Sequence, residues 1–427
     1  MVSRRIFIGL TEVAGYNFSL KQGFDVLGVC SSFYDLGDHS FVYSSSAVRN
    51  PYIGLIKALN RRAGSATRAL PRYLFRLAYF ASIVPLFVWA LLRFDVFIFS
   101  FGQSFLRLHD LPILKFFGKK IIFVFLGSDS RPPYLNRKFH TNGRLANTIK
   151  LTRQIKENIA RIEAFADVIL NHPPTAQFHQ RKFVQFLKIG IPTAFGFSGA
   201  PAASTPGGQV RILHAPSFAE GKGTDRIRLA IASLQAKGFP IAYVEIINRP
   251  NGEVLEALKA CDFVVDELYS DTYMARFAAE AAFFGKPSIV GSYASAADMG
   301  DLCRADIPPV HHCHPDEVER SIERLVSDAA YRNELGRQAH DFVLTQWSPK
   351  AVATRFMALV SGDIPAAWLA DPQQIRYLYG WGAPIGIAQT ALSQYLAAAG
   401  PSGLELDDKP VLKDLLIKFA AEQTPAC

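Results

Sequence analysis

Residues 271–291, DTYMARFAAEAAFFGKPSIVG, decide the fold of this chain. Residues 273–284 are rich in alanine and contain no internal glycine or proline, which predicts a helix. Gly285 is placed to end that helix, and residues 288–290 form a short apolar run typical of a buried parallel strand. The stretch therefore predicts one helix-to-strand step of an α/β sheet.

Glu280 is a lone carboxylate on this apolar helix, with alanines at positions 279, 281 and 282. An ionised carboxylate among alanines is costly unless a polar group meets it. One interpretation is a surface glutamate paired with Arg276, one turn earlier. The other is a ligand-binding glutamate, because ligands of open parallel sheets collect where strands end and helices begin.

The same stretch resembles the donor-binding segment of retaining GT-B glycosyltransferases, family 4 in particular. In that family a helix ending in Glu-Ala-x-x-x-Gly-Lys-Pro-x-Ile holds a nucleotide sugar. The residues that match are Glu280, Ala281, Gly285, Lys286 and Pro287. The resemblance implies that Glu280 bonds the ribose hydroxyls of the donor.

The family places a second glutamate eight positions earlier, where it contacts the transferred sugar. This chain has Thr272 there, and Asp271 is the neighbouring carboxylate. The resemblance implies donor-binding roles for Asp271, Thr272 and Tyr273, and it leaves the identity of the sugar open.

A second motif follows a predicted strand at residues 210–215. Lys222 stands beside Gly223, just before a predicted helix, so an ammonium group and a helix amino end can meet a phosphate there. The resemblance assigns this Lys-Gly pair to the donor diphosphate. The family's arginine five residues before the lysine is Ser217 here. We therefore expect either weaker donor binding or another cation in its place.

Two loops of the first half carry further matches. Gly15 follows a predicted first strand at residues 6–10, and the resemblance places it against the donor diphosphate. Residues 119–126 predict a strand that runs into a polar loop, where related enzymes have Phe-His-Gly-Ser-Asp-x-Arg-Pro. Asp129 and Arg131 match that pattern, whereas Leu126 replaces the histidine.

The resemblance implies that Asp129 and Arg131 lie on the acceptor side, and that Asp129, Lys222 and Glu280 are the catalytic residues. The alternative for Asp129 is a turn residue.

The alternation of strands and helices predicts an α/β fold: two doubly wound, Rossmann-like domains facing a cleft, as in GT-B enzymes, plus a C-terminal helical extension. We predict an acceptor-side domain at residues 1–195, a linker at 196–209, a nucleotide-sugar-binding domain at 210–362 and the extension at 363–427. Further strands are predicted at residues 26–30, 41–43 and 186–189.

Charge is divided unevenly along the chain. Residues 1–196 hold 26 Lys and Arg against 10 Asp and Glu, and the rest holds 20 against 27, which gives net charges of +16 and −7. Residues 39–94 contain no acid at all, and residues 77–92 are uncharged. The span from 49 to 93 predicts a buried helix, a helix in the interface of an anionic membrane, or a membrane span. We expect no nucleic-acid partner.

The five cysteines, an odd number without paired spacing, predict a reducing, cytoplasmic location, with a peripheral membrane position as an option. The apolar run at residues 6–10 is too short, and too soon followed by Glu12, to predict the apolar core of a secretory signal. Residues 311–314, His-His-Cys-His, are too closely spaced to predict a metal site. We expect no metal and no cofactor beyond the nucleotide-sugar substrate.

The resemblance implies a retaining, metal-independent glycosyltransferase. It would move a sugar from a nucleotide-diphosphate sugar to a glycan or a lipid-linked acceptor in cell-envelope polysaccharide or glycolipid synthesis. The departures at positions 126, 217 and 272 keep two alternatives open. These are a nucleotide-sugar epimerase or hydrolase, and a non-catalytic binding subunit with the same fold.

Overall fold

Strands and helices alternate through most of the chain, and the computed structural model describes residues 4–37, 50–140, 145–193 and 208–422. The strands are β1 (Ile6–Leu10), β2 (Ser31–Asp35), β3 (Val96–Ser100), β4 (Lys120–Val124), β5 (Val168–Asn171), β6 (Phe183–Gln185), β7 (Val210–His214), β8 (Ile241–Glu245), β9 (Phe263–Val265), β10 (Ser288–Gly291), β11 (His311–Cys313) and β12 (Leu369–Ala370).

The helices of the first half are α1 (Tyr16–Val26), α2 (Pro51–Ser65), α3 (Ala69–Arg93), α4 (Leu111–Phe116), α5 (Arg137–His140), α6 (Leu145–Phe165) and α7 (Phe186–Ile189). Those of the second half are α8 (Ala219–Lys222), α9 (Thr224–Ala236), α10 (Asn251–Ala260), α11 (Arg276–Phe283), α12 (Val318–Ser327), α13 (Ala329–Thr345), α14 (Pro349–Ser361), α15 (Ile385–Ala399) and α16 (Pro410–Ala421).

The first sheet has seven strands in the order β12-β6-β5-β4-β3-β1-β2. All of its pairs are parallel except that of β12 with β6. Its strands are apolar along their length because both faces are covered by helices. Phe7 and Phe97 point into one buried layer, whereas Ile6 and Ile98 point into the other.

The second sheet has five parallel strands in the order β11-β10-β9-β7-β8. The predicted fold class is confirmed: two doubly wound α/β domains face a cleft, and C-terminal helices follow them.

The chain after the second sheet returns to the first domain. Helix α14 packs on α1 so closely that a Cβ on Gly23 would lie 2.0 Å from the carbonyl oxygen of Pro349. Residues 349–361, which the sequence analysis grouped with the second domain, therefore cover the first. The extension then adds β12 to the edge of the first sheet, and the ring of Tyr395 of α15 packs at 5.0 Å from that of Tyr134.

Three local predictions were wrong. Residues 26–30 are not a strand, because α1 continues to Val26 and Gly28, with φ 67, closes its end before β2 begins. Residues 186–189 are a helical turn, because the Gln185 side chain accepts a hydrogen bond from the Leu187 amide and starts it. The helix of the stretch 271–291 begins at Arg276, not at residue 273. The predicted strand at 41–43 and residues 196–207 of the predicted linker lie outside the described residues.

The uncharged run at residues 77–92 is only part of α3. The helix begins at Ala69 and has 25 residues, so its length and composition would suffice to cross a membrane. The uncharged run thus belongs to a longer helix that also contains Arg72 and Arg76.

Candidate functional site

Each sheet has a switch point, which is the position where its strand order reverses, and both switch points face the same cleft. The strand order reverses between β1 and β3 in the first sheet and between β7 and β9 in the second. Loops at the carboxyl ends of these strands line a cavity of about 450 Å³ and an adjoining one of about 170 Å³. Val13, Ala14, Ala275 and Arg276 line both, so the cavities are continuous. This is where ligands of open α/β sheets bind.

The larger cavity brings together three of the residues predicted to bind the donor, Lys222, Ser217 and Glu280. It also contains Arg249, which follows β8, and Arg276, the first residue of α11. Ser217 supplies no charge where the family has arginine, but Arg249 stands in the same cavity. A second cation is therefore available to an anionic ligand.

Lys222 is buried and held by two carboxylates that follow β9. Its Nζ lies 2.8 Å from Asp266 Oδ1 and 3.0 Å from Glu267 Oε2. Burial alone would lower the pKa of Lys222, but the two carboxylates outweigh burial and raise it. The lysine is thus charged and fixed in place, and the glycine after it has φ 75, which a side chain would disfavour.

Glu280 is buried, not on the solvent face, although it does pair with Arg276. The Arg276 Nε donates to Glu280 Oε1 over 3.1 Å. Burial raises the pKa of Glu280, and Arg276 partly offsets that effect. The ion pair of the first interpretation is present, but Glu280 is not on the surface, and it lines the larger cavity.

The amino end of α1 is occupied by a residue that the sequence analysis did not assign to the site. Glu12 accepts hydrogen bonds from the amides of Asn17, at 3.2 Å, and Phe18, at 2.8 Å. Burial raises the pKa of Glu12 to about 7, against which the amide bonds act. Gly15, with φ 78, precedes α1, but its neighbours Val13 and Ala14 line the cavities.

The smaller cavity is closed by two contacts between the domains. Arg131 donates from Nε to Asp271 Oδ2 over 2.7 Å and also from Nη2, and both side chains are buried. Thr272 Oγ1 lies 3.1 Å from His172 Nε2. Burial and the nearby Arg131 lower the pKa of His172 to about 3, so its imidazole is neutral.

His172 was missed by the sequence analysis, although it directly follows β5 at the carboxyl edge of the sheet. That position was the available signal. Its Nδ1 is buried and has no hydrogen-bond partner among the described residues. An imidazole is therefore present in the cleft, although Leu126 replaces the histidine of the family's loop.

Asp129 and Tyr273 are placed outside the lining of both cavities. Asp129 Oδ1 accepts from the Leu126 amide over 2.9 Å, which is the geometry of a turn residue. Burial raises its pKa to about 7. Tyr273 packs edge-on against His312 at 5.3 Å, in the core between α11 and the first domain.

The C-terminal extension reaches the cleft through Trp381. Its Nε1 donates to Glu267 Oε2 over 3.3 Å, its ring lies 5.5 Å from the Arg131 guanidinium, and it stacks on Phe218 at 6.1 Å. The backbone on either side is tied to both domains: the Trp381 amide donates to Leu135, and the Gly382 amide donates to Tyr269. The extension therefore supports side chains from both halves of the site.

The described residues include no group of three histidine, cysteine or acidic side chains that could hold a metal ion. His311 to Cys313 form β11, and His314 accepts from the Asp316 amide at the start of the next helical turn.

No family model and no curated protein matches this chain. Among solved structures it is similar to Anabaena HepE in complex with UDP and glucose, at 11% identity and a TM-score of 0.48, over 84% of this chain and 100% of that one. It is also similar to the glycosyltransferase SnogD from Streptomyces nogalater, at 15% identity and a TM-score of 0.41, over 84% and 100% of the two chains.

A third similarity is to a proposed UDP-N-acetylglucosamine 2-epimerase from Listeria monocytogenes, at 11% identity and a TM-score of 0.43, over 85% and 97%. Such low identities and scores decide neither the reaction nor the substrate of this chain.

Proposed function

We propose that the protein is a glycosyltransferase that uses a nucleotide-diphosphate sugar as donor. The observation that carries the proposal is the larger cavity, where Lys222, Arg249 and Arg276 stand with the buried Glu280 between the switch points of two sheets. Cations suit a diphosphate, and a carboxylate suits the paired hydroxyls of a ribose.

The diphosphate is assigned to the side of the second domain. Lys222 and Arg249 supply positive charge there, and α9 begins two residues after Lys222. The opposite side is unsuitable, because Glu12 already bonds the first free amides of α1 and its carboxylate would repel a phosphate. The ribose is assigned to Glu280, on the same wall of the cavity.

The sugar then points from the diphosphate toward the smaller cavity. Asp271, Thr272 and His172 present hydrogen-bonding groups there, and Arg131 adds a cation. In a retaining transfer the sugar–phosphate bond breaks and the acceptor oxygen bonds the anomeric carbon on the same face, while the leaving phosphate takes the acceptor proton. The protein then mainly stabilises charge on the departing phosphate, which fixed cations do without a metal.

The acceptor is assigned to the first-domain side of the smaller cavity, and Asp129 and Arg131 keep their proposed acceptor-side roles. Asp129 acts there through the loop that it shapes, since its carboxylate bonds the Leu126 amide. We propose a glycan or lipid-linked acceptor, with the enzyme working in the cytoplasm in polysaccharide or glycolipid synthesis.

Thermal unfolding of the whole chain with a panel of nucleosides, nucleoside diphosphates and nucleotide sugars tests the donor site. A ligand at 100 times its Kd stabilises a protein by about 2.7 kcal/mol, so one nucleoside diphosphate should raise the unfolding temperature more than its nucleoside does at the same concentration. No shift with any diphosphate would contradict the proposal.

Product analysis with that donor then separates the reactions. A transferase gives little free sugar until an acceptor is added. An epimerase or hydrolase gives its product without one, and a non-catalytic subunit binds the donor and leaves it intact.

A further inference from the structure

Helix α3 carries an apolar face that no described part of the protein covers. Its outward residues recur at spacings of three, four or seven positions, so they form one stripe along the helix. They are between 45% and 74% exposed: Leu70, Leu74, Leu77, Val84, Val88 and Leu92. Single exposed apolar residues are ordinary on a protein surface, but a continuous stripe over six turns marks an interaction surface.

The opposite face fixes the helix to the first domain. Ile83, Leu86, Phe87 and Ala90 are buried in the same core as the first sheet, and the Tyr52 hydroxyl of α2 donates to the Ser82 carbonyl. Because the carboxyl-terminal part of α3 packs into that core, the helix cannot cross a bilayer without dismantling the core. The stripe is therefore available to a surface that the protein lies against.

The charges on α3 select the kind of surface. Exposed arginines lie at positions 68, 72, 76 and 93, on the side of the helix opposite the stripe. The segment from residue 50 to residue 94 contains no acidic residue, while the whole chain has 37. An apolar face opposed by a face that carries only cations is typical of a helix that lies in the interface of an anionic membrane.

We propose that the outward face of α3 binds the surface of an anionic membrane, with the helix lying in the plane of the interface. The apolar stripe enters the boundary between headgroups and acyl chains, and the arginines on the opposite side of the helix attract the anionic headgroups. This binding does not depend on the transfer reaction. A protein with no transferase activity would still show it.

Sedimentation of the full chain with vesicles tests the surface. Vesicles containing a quarter phosphatidylglycerol should carry the protein down at low salt, and vesicles of phosphatidylcholine alone should carry much less. Screening by high salt should weaken binding to the anionic vesicles. Arg72→Gln with Arg76→Gln should lower the partition coefficient roughly fivefold for each residue removed.

The apolar part is tested by Leu74→Ser, Leu77→Ser and Val84→Ser together, which should abolish most of the remaining binding. Leu229→Ser is the matched control, because Leu229 is 71% exposed on α9 of the other domain. Thermal unfolding of each variant verifies that it is folded.

If the folded wild type did not sediment with anionic vesicles at low salt, the proposal would be overturned. The same conclusion would follow from stripe variants that bind vesicles normally but convert a dimer to a monomer, because the stripe would then join two copies. Resistance of the bound wild type to extraction at high salt and alkaline pH would also overturn it, because it would indicate a span.

Discussion

The two switch points of this protein have the same topology and opposite chemistry. In the first domain, the amides at the start of α1 are already bonded by Glu12. In the second, α9 has no side-chain cap, and Lys222 stands just before it. In the first domain, a carboxylate bonds the amides of the helix end and would repel an anion. In the second, the helix end has no side-chain cap and a fixed cation lies beside it, an arrangement that suits an anion.

The difference also concerns how each charge is held. Glu12 has no basic side chain within hydrogen-bond distance among the described residues, and its burial opposes ionisation. Lys222 is held by both Asp266 and Glu267. The two strand-loop-helix units are alike in topology, but their charged side chains differ. Those charges are the basis for assigning each unit to a different part of the ligand.

The largest expected effect comes from removing the lysine of the second switch point. Lys222→Ala leaves Asp266 and Glu267 buried without their cation, so we expect a loss of about 3–5 kcal/mol in the free energy of unfolding. The loss should be larger at pH 8 than at pH 5, since protonation relieves the two carboxylates. Chemical denaturation at both pH values measures it.

Lys115→Ala is the control for that experiment, because its pair with Asp167 is partly exposed. It should cost less than about 1 kcal/mol. A Lys222→Ala variant as stable as this control would show that the two carboxylates do not depend on the lysine.

The next effect concerns the first switch point and its pH dependence. The pKa of Glu12 is raised from 4.5 to about 7, so its contribution to stability is present below pH 4.5 and is lost as the pH rises through 7. Glu12→Gln removes that titration. The difference in unfolding free energy between pH 5 and pH 8 should therefore change by on the order of 3 kcal/mol relative to wild type.

Glu220→Gln is a matched control, because Glu220 is exposed at the cleft side of the second domain. It should leave the pH profile of unfolding unchanged. If Glu12→Gln also left it unchanged, the carboxylate of Glu12 would keep one charge state across the range, which would contradict its raised pKa.

A smaller effect is expected at the ribose. Glu280→Gln replaces a charged acceptor by a neutral one of the same size, which should weaken binding of a ribonucleotide by about 1.5–3 kcal/mol. The matched ligand is the 2′,3′-dideoxynucleotide, which lacks the hydroxyls, so its affinity should not change. Calorimetric titration measures both affinities. An equal loss of affinity for the two ligands would show that Glu280 does not bind the ribose.

The smallest effect concerns the support from the extension. Trp381→Phe keeps the ring beside Phe218 but removes the N–H donated to Glu267, which should lower the unfolding free energy by about 1 kcal/mol. Trp368→Phe, in the same extension and outside the lining of both cavities, is the control. If the two variants were equally stable and bound nucleotide equally well, Trp381 would merely fill space.

Much of the fold could be predicted from the sequence because strand and helix patterns are local. The apolar runs before Asp129 and Gly15 are strands, as expected, and their carboxyl ends face the cleft. The prediction failed where local patterns are ambiguous. Residues 186–189 are apolar and buried in either conformation, so periodicity does not distinguish a short strand from a helical turn.

The site was harder to predict, because its groups meet only in the folded chain. Asp266 and Glu267 directly follow β9, yet only the structure shows both carboxylates on Lys222. Trp381 is 114 positions from Glu267, and no local pattern connects them. The two residues that the resemblance assigns to the donor, Lys222 and Glu280, do line one cavity, because a short motif with fixed spacing constrains a loop and a helix together.

The central claim is that the donor diphosphate binds beside the second switch point, and Arg249 tests it most directly. Its side chain is 65% exposed, so Arg249→Gln should not disturb the fold. We predict that the variant binds the nucleoside diphosphate roughly tenfold or more weakly and the nucleoside equally well, whereas Arg337→Gln, on α13, changes neither affinity. Unchanged affinity of Arg249→Gln for the diphosphate, or an equal loss for the nucleoside, would contradict the account.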